Sequence, residues 1–185
     1  MIALSTPADP ERIRKLVQGD HLLLTGKLYT ARDAAHKRFI ELVESGKKLP
    51  VDLRGQFLYY TGPTPPQSGE VIGSAGPTTS SRMDRYTPAL IRATGLRGII
   101  GKGNRSPAVI ESFIAHECVY CAATGGAGAL LGRCIKQARV VCYKDLGAEA
   151  VFELQVVDFP LIVAIDVTGK NRYTEGPNEW RGKNA

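Results

Sequence analysis

Residues 73–84 read Gly-Ser-Ala-Gly-Pro-Thr-Thr-Ser-Ser-Arg-Met-Asp, a run of hydroxyls, one guanidinium and unhindered backbone from which no packed core is built. Such a stretch suits a small anion. Gly73 and Gly76 let backbone N–H groups approach a ligand, Pro77 stiffens the turn, and Arg82 can hold a carboxylate by two parallel hydrogen bonds. Taken alone, the run reads equally well as a solvated Ser/Thr loop. Two other places carry comparable chemistry. Arg32 and His36 stand one turn apart at the start of an expected helix, beside the partial positive charge of its N-terminus. In isolation they are a surface arginine and a surface histidine on an amphipathic helix. Lys102, flanked by Gly101 and Gly103, exposes an ammonium at a strand end.

Other motifs carry less. Gly126-Ala127-Gly128, with Gly132 and Asp145 further on, approximates a dinucleotide-binding loop, but the third glycine is displaced by one residue and close packing explains the glycines without a ligand. Ile99-Ile100-Gly101-Lys102-Gly103-Asn104 approximates the loop of KH-type RNA-binding modules, with asparagine at its fourth position and a strand before it where that loop joins two helices. Cys118-x-x-Cys121 invites a metal reading, yet Cys134 falls in an expected helix and Cys142 in an expected strand. All four cysteines therefore read as reduced, buried core thiols and metal ligands are expected to be none. There is no Gly-x-Ser-x-Gly elbow for a hydrolase.

The elements that must position these residues follow from periodicity. Residues 1–20 are polar and mixed, with a short charged helix at best between prolines. Residues 21–29 form a strand, and Thr30 with Asp33 caps a helix whose apolar face, Ala31, Ala35, Phe39, Leu42 and Val43, ends at Gly46. A short strand covers 57–60, and Thr61 to Pro66 is a stiff loop. Thr87-Pro88 opens a helix closed by Gly95; residues 98–100 are a strand; Ser106-Pro107 opens a helix over 107–116. Residues 118–123 are a buried strand, Gly125-Gly126 a turn, 127–137 a helix and 140–143 a strand. Residues 150–157 and 161–165 form paired strands split by Asp158-Phe159-Pro160, and a polar, loosely held tail runs from Gly169. Alternating strand and helix is the grammar of βαβ crossovers, so the fold class is α/β with a mixed sheet. One domain spans 1–185, its core about 20–168.

The 185 residues are 43% hydrophobic, enough for one domain with a real core. The formal charge of +6 is spread along the chain without a basic run, which suits a small acidic substrate or an acidic partner as well as nucleic acid. Neither a basic leader with an apolar stretch nor an uninterrupted apolar span is evident, so a soluble, cytoplasmic protein without membrane or nucleic-acid partners is expected.

Together, Arg32 and His36, Thr78 and Arg82, and Lys102 resemble the β-type part of the iron–sulfur hydro-lyases, the class I fumarate hydratase and L(+)-tartrate dehydratase family. The segments that carry the likeness are Leu28-Tyr29-Thr30-Ala31-Arg32-Asp33-Ala34-Ala35-His36, Leu58-Tyr59-Tyr60-Thr61-Gly62-Pro63, residues 72–84, Ile100-Gly101-Lys102-Gly103, residues 122–126 and residues 143–150. The likeness covers about residues 20–175. It implies a swivelling β/β/α domain that is half of an enzyme, active only with an α subunit that carries a 4Fe-4S cluster on three cysteines of its own; αβ units could pair as dimers. It implies reversible hydration of fumarate to L-malate, or dehydration of tartrate to oxaloacetate as the alternative. By the same resemblance Arg32, Arg82 and Lys102 bind substrate carboxylates, with Arg82 as bidentate clamp. Thr78 and Lys102 act in catalysis, Thr78 as base or proton relay, His36 orients, and no residue of this chain holds the cluster.

Overall fold

The computed structural model describes residues 1–124 and 126–183. Gly125, expected in a turn, and the last two residues of the expected tail lie outside that set. Seven strands form one mixed sheet in the order β1-β2-β3-β4-β5-β7-β6. They are β1 (Ile2–Thr6), β2 (His21–Thr30), β3 (Phe57–Tyr59), β4 (Gly98–Gly101), β5 (Val119–Ala122), β6 (Ile135–Cys142) and β7 (Val151–Ile165). Strands β2 to β5 run parallel, and β7 runs antiparallel to both β5 and β2, so the sheet closes on itself. Among the described residues, closure leaves only the flanking strands β1 and β6 at free edges, which removes most of the unpaired backbone an open sheet would expose.

Alternation along the strands sorts side chains into two cores. Leu22, Leu24, Leu28, Phe57, Tyr59, Ile100, Val119, Leu154 and Val156 fill one, which also takes Leu4 and Ile13. Leu58, Tyr60, Ile99, Tyr120 and Ile165 point the other way, against α2 (Asp33–Glu44), α3 (Thr87–Thr94) and α4 (Pro107–His116), which contribute Phe39, Leu90, Ile91, Val109 and Phe113. Each such buried side chain contributes on the order of 1.5–3 kcal/mol relative to exposure.

Several expectations require correction. The first residues are not merely polar: Ile2–Thr6 pairs in register with residues 22–26, and α1 (Pro10–Arg14) buries Ile13, so the core begins at Leu4 rather than near residue 20. The close approach is possible because Gly26, at φ +123°, has no Cβ to strike Thr6. The expected pair of strands at 150–165 is one continuous strand. Asp158 adopts φ +51° and donates its N–H to Thr25 Oγ1 (3.1 Å), while Phe159 and Pro160 stay paired with Leu24 and Leu23. The expected helix at 127–137 is only α5 (Gly128–Arg133), because Ile135 onward finds the free edge of β7 and extends as β6. Beyond Gly169 the chain forms α6 (Arg172–Lys183), anchored where Tyr173 Oη accepts from Gly103 N (3.1 Å) and Asn171 donates to Asn104 (2.8 Å). Among the described residues no helix is long and apolar enough to cross a membrane.

Candidate active site

The carboxyl ends of parallel strands gather ligand-binding loops in α/β folds, and here three of them converge. β2 ends at Thr30, two residues before Arg32. Past β3, the Tyr60 carbonyl accepts the Thr78 N–H (2.8 Å), which draws the hydroxyl-rich loop back over the strand end. Past β4, Lys102 bridges Thr79 through its backbone; its carbonyl accepts from Ser80 N (3.1 Å) and its N–H donates to Ser80 Oγ (3.2 Å). Thr78, Arg82 and Lys102, separated in sequence, thus occupy one rim, with the Lys102 side chain exposed.

Charge is arranged tightly on that rim. Arg82 donates from Nε to Asp33 Oδ1 (3.0 Å) and from Nη2 to Asp33 Oδ2 (3.2 Å) and Thr78 Oγ1 (2.9 Å). Burial pulls the Asp33 carboxyl upward, but the Arg82 hydrogen bonds, a backbone N–H and the charges of Arg82 and Arg32 outweigh it, and the net effect lowers its pKa. The edge of Arg82 that would clamp a carboxylate bidentately is therefore taken by Asp33. Arg32 lies against Gly62 and pairs with Glu149 (3.4 Å), which comes from the 3-10 segment Lys144–Glu149 and also accepts the Ala34 N–H (3.0 Å).

His36 is placed differently from Arg32. It is fully buried behind the rim, with its ring edge-on to Tyr60 (4.8 Å between centroids) and stacked on Tyr86 (6.0 Å), so it is not a surface histidine and is not brought to the rim. Its Nδ1 donates to the Arg32 carbonyl (2.8 Å), which fixes the tautomer and leaves Nε2 buried with no partner among the described residues. Burial first, with the nearby Arg105 charge, pushes its pKa down to about 4. Thr30 is not the cap of α2; its hydroxyl accepts from Phe152 N (3.1 Å) and Arg32 occupies the cap position. Nor does Gly73 offer its N–H to a ligand, since it donates to the Thr64 carbonyl (3.1 Å). Gly128 and Gly132 back closely onto Ser74, Gly76 and Gly73, so the approximate dinucleotide pattern is packing between two loops, and Asp145 pairs with Arg38. The KH-like segment joins β4 to α4, a strand to a helix.

Sequence reasoning weighed Asp33 only as a capping partner and did not single out Glu149. The first stands beside a recognised arginine, a usable signal; the second lies 115 residues from its partner Ala34 and offered none.

The cysteines do not make a cluster site. Cys118, just before β5, and Cys121, within it, are fully buried and belong to the two different cores, and burial raises both thiols far from the thiolate a metal needs. Cys134 and Cys142 are only half-buried, less than expected, with burial pushing Cys142 up to about 11. Among the described residues no three His, Cys, Asp or Glu side chains gather as metal ligands. An iron–sulfur cluster does not fit the donors this chain presents.

Comparison with known proteins gives the family. The family model described as Fumarase C-terminus matches residues 1–176. A Methanocaldococcus jannaschii chain, provisionally named L(+)-tartrate dehydratase subunit beta, is 42% identical over 168 residues, 88% of this chain and 86% of the relative. The anaerobic class I fumarate hydratase of Escherichia coli is 36% identical over 159 residues, covering 85% of this chain but 29% of its own length. Fumarate hydratase 2 of Leishmania major is 34% identical over 177 residues, covering 94% of this chain and 31% of its own length. The chain thus spans most of the archaeal relative and less than a third of the two fumarate hydratases.

Proposed function

Since the chain belongs to the Fumarase C-terminus family, we propose that it is the β-type subunit of a hydro-lyase that adds water to, or removes it from, a four-carbon dicarboxylate, with fumarate and L-malate as the first pair. The observation that carries this reading is the rim itself. Arg32 pairs with Glu149 and Arg82 with Asp33, while Lys102, joined to Thr79 through its backbone, adds an exposed cation where three strand ends meet. A substrate with two carboxylates needs cations at its site, and preorganised cations also stabilise the charge that develops as a carbon-bound proton leaves.

With its Nε–Nη2 edge held by Asp33, Arg82 presents Nη1 to a carboxylate, and Lys102 and Arg32 supply the remaining charge. Thr78 takes the proton role. A threonine hydroxyl is a weak base, but a guanidinium donating to Oγ1 favours its deprotonated form, and charge-assisted bonds of this kind are worth about 1.5–3 kcal/mol. In this reading the 4Fe-4S cluster resides on a partner α subunit, and this chain contributes the carboxylate-binding cations and the hydroxyl. His36 serves from behind, by holding the carbonyl at the start of α2.

A second reading, tartrate to oxaloacetate, is favoured by one observation: the relative of matching length is named for tartrate. Mixing the purified chain with an anaerobically prepared, cluster-bearing α subunit and assaying fumarate, malate and tartrate decides between them. A rate with none of the three above that of α alone would overturn both.

A further inference from the structure

Directly behind the rim lies a buried cation that the chemistry above does not use. The Arg105 side chain is completely enclosed, and Nε and Nη2 both reach Asp84 Oδ1, at 2.8 and 2.7 Å. Nη2 also donates to Thr87 Oγ1 (3.0 Å), and the guanidinium lies over the rings of Tyr60 (5.3 Å) and Tyr120 (5.0 Å). Asp84 is completed by the Ser106 N–H on Oδ2 (2.7 Å). Thr87 is saturated as well, donating to the Met83 carbonyl (2.9 Å) and accepting from Tyr60 Oη (2.9 Å).

A buried ion pair is weak evidence of stability, because well-packed apolar residues of similar volume often serve as well. What this pair does is join two segments. Asp84 follows the 3-10 turn Ser80–Met83 that carries Arg82, and Arg105 stands three residues after Lys102. Tyr120 ties the same two segments a second time, its Oη lying 3.0 Å from both Ser80 Oγ and the Gly103 carbonyl. The Tyr120 hydroxyl is placed to donate either to Ser80 Oγ or to the Gly103 carbonyl, and Ser80 Oγ also accepts the Lys102 N–H.

We infer that Arg105 is a positioning residue which, through Asp84, sets the spacing between Arg82 and Lys102 so that both address one dicarboxylate. The inference rests on the proposed function for the identity of the ligand, and on the buried geometry for the coupling.

The test separates positioning from mere stability. Replacing the pair by neutral residues, Asp84→Asn with Arg105→Met, removes the buried charges together and leaves a folded domain, melting within about 5 °C of the parent. A purely structural pair would then restore function along with the fold. A positioning pair would not: KM for malate in the assembled enzyme rises by about tenfold or more, and the Arg82 Nε–Hε and Lys102 amide resonances of the labelled chain move. Parent-like KM and unmoved resonances in the folded double variant overturn the inference. Arg105→Lys, which keeps the charge but not the fork, is read the same way if the double variant fails to fold. In the parent, the amides of Lys102 and Ser106 exchange with solvent in one shared opening, and independent exchange also overturns the inference. If the parent assembly turns over no dicarboxylate, the functional reading fails while the resonance and exchange measurements still decide the coupling.

Discussion

Asp33 occupies the Nε–Nη2 edge of Arg82 at 3.0 and 3.2 Å, while the same Nη2 reaches Thr78 Oγ1 at 2.9 Å, so one guanidinium is fixed by an acid on one helix and fixes a hydroxyl in the neighbouring loop. Only a planar fork can do both. Arg82→Lys keeps the charge and loses the geometry, and kcat/KM of the assembled enzyme is expected to fall about 100-fold. Because the Arg82 and Asp33 side chains are 44% and 33% exposed, stability should change by no more than about 1 kcal/mol. A loss of activity matched by an equal loss of folded protein would contradict this.

Thr78 is separable from its neighbours by a pair of substitutions. Thr78→Ser retains the hydroxyl that accepts from Arg82, and Thr78→Val removes it at nearly constant volume. The serine variant should keep kcat within about tenfold and the valine variant should lose about 100-fold or more, with KM little changed in either. Steady-state kinetics with malate checks the split; equal kcat values in the two variants would remove Thr78 from proton transfer.

His36 makes stability depend on pH in a stated window. Its folded pKa, pushed down to about 4, lies below the ordinary value of 6.5, so between those values the unfolded chain binds a proton that the folded chain does not. This part of stability is complete above about pH 6.5 and is lost as pH falls toward 4, by about 3 kcal/mol in all. The groups around the ring are the Arg32 carbonyl, the Tyr60 and Tyr86 rings, and the charges of Arg105 and Asp33. Urea titrations from pH 4 to 7 should give a steeper slope for the parent than for His36→Gln. Equal slopes would place the acid sensitivity elsewhere.

Gly101 is a position where the rim depends on a missing methyl group. A Cβ there would fall on the Ser80 hydroxyl and sit 3.2 Å from Tyr120 Oη, prising apart the Thr79–Lys102 bridge. Gly101→Ala should cost about 1–3 kcal/mol and reduce activity as well, since Lys102 moves with the strand end. Gly103→Ala, at φ +82° with open space around it, tests backbone strain without the steric clash. A stable, fully active Gly101→Ala protein would refute the close approach.

Much of this architecture was legible locally. Pro88 and Pro107 in the first turns of their helices, the left-handed Gly95 and the short apolar runs at 57–60, 98–100 and 118–123 gave the parallel part of the sheet and its helices to within a residue or two, although the cap of the first helix is Tyr86 and not Thr87. What failed was whatever depended on a distant edge. Ile2–Thr6 has a single fully buried apolar residue and becomes a strand only because residues 22–26 lie beside it. Residues 135–137 continue an apparent helix and become strand because β7 offers a free edge. Asp158 to Pro160 reads as a break and remains in the sheet because Thr25 satisfies the N–H at the bend.

The amino-acid sequence by itself determined that Arg32, Thr78, Arg82 and Lys102 stand in loops and caps rather than in strand or helix interiors, since the types of those segments are set by nearest neighbours. The tertiary structure decided how those groups are spent. Asp33 consumes one face of Arg82, Glu149 reaches Arg32 from a distant segment, His36 turns inward between two tyrosines, and Arg105 is enclosed with Asp84. Hydrogen-bond partners and burial depend on which segments the closed sheet brings together, and sequence spacing carries no record of that, whether the partners lie 21 residues apart, as Asp84 and Arg105 do, or 115, as Ala34 and Glu149 do.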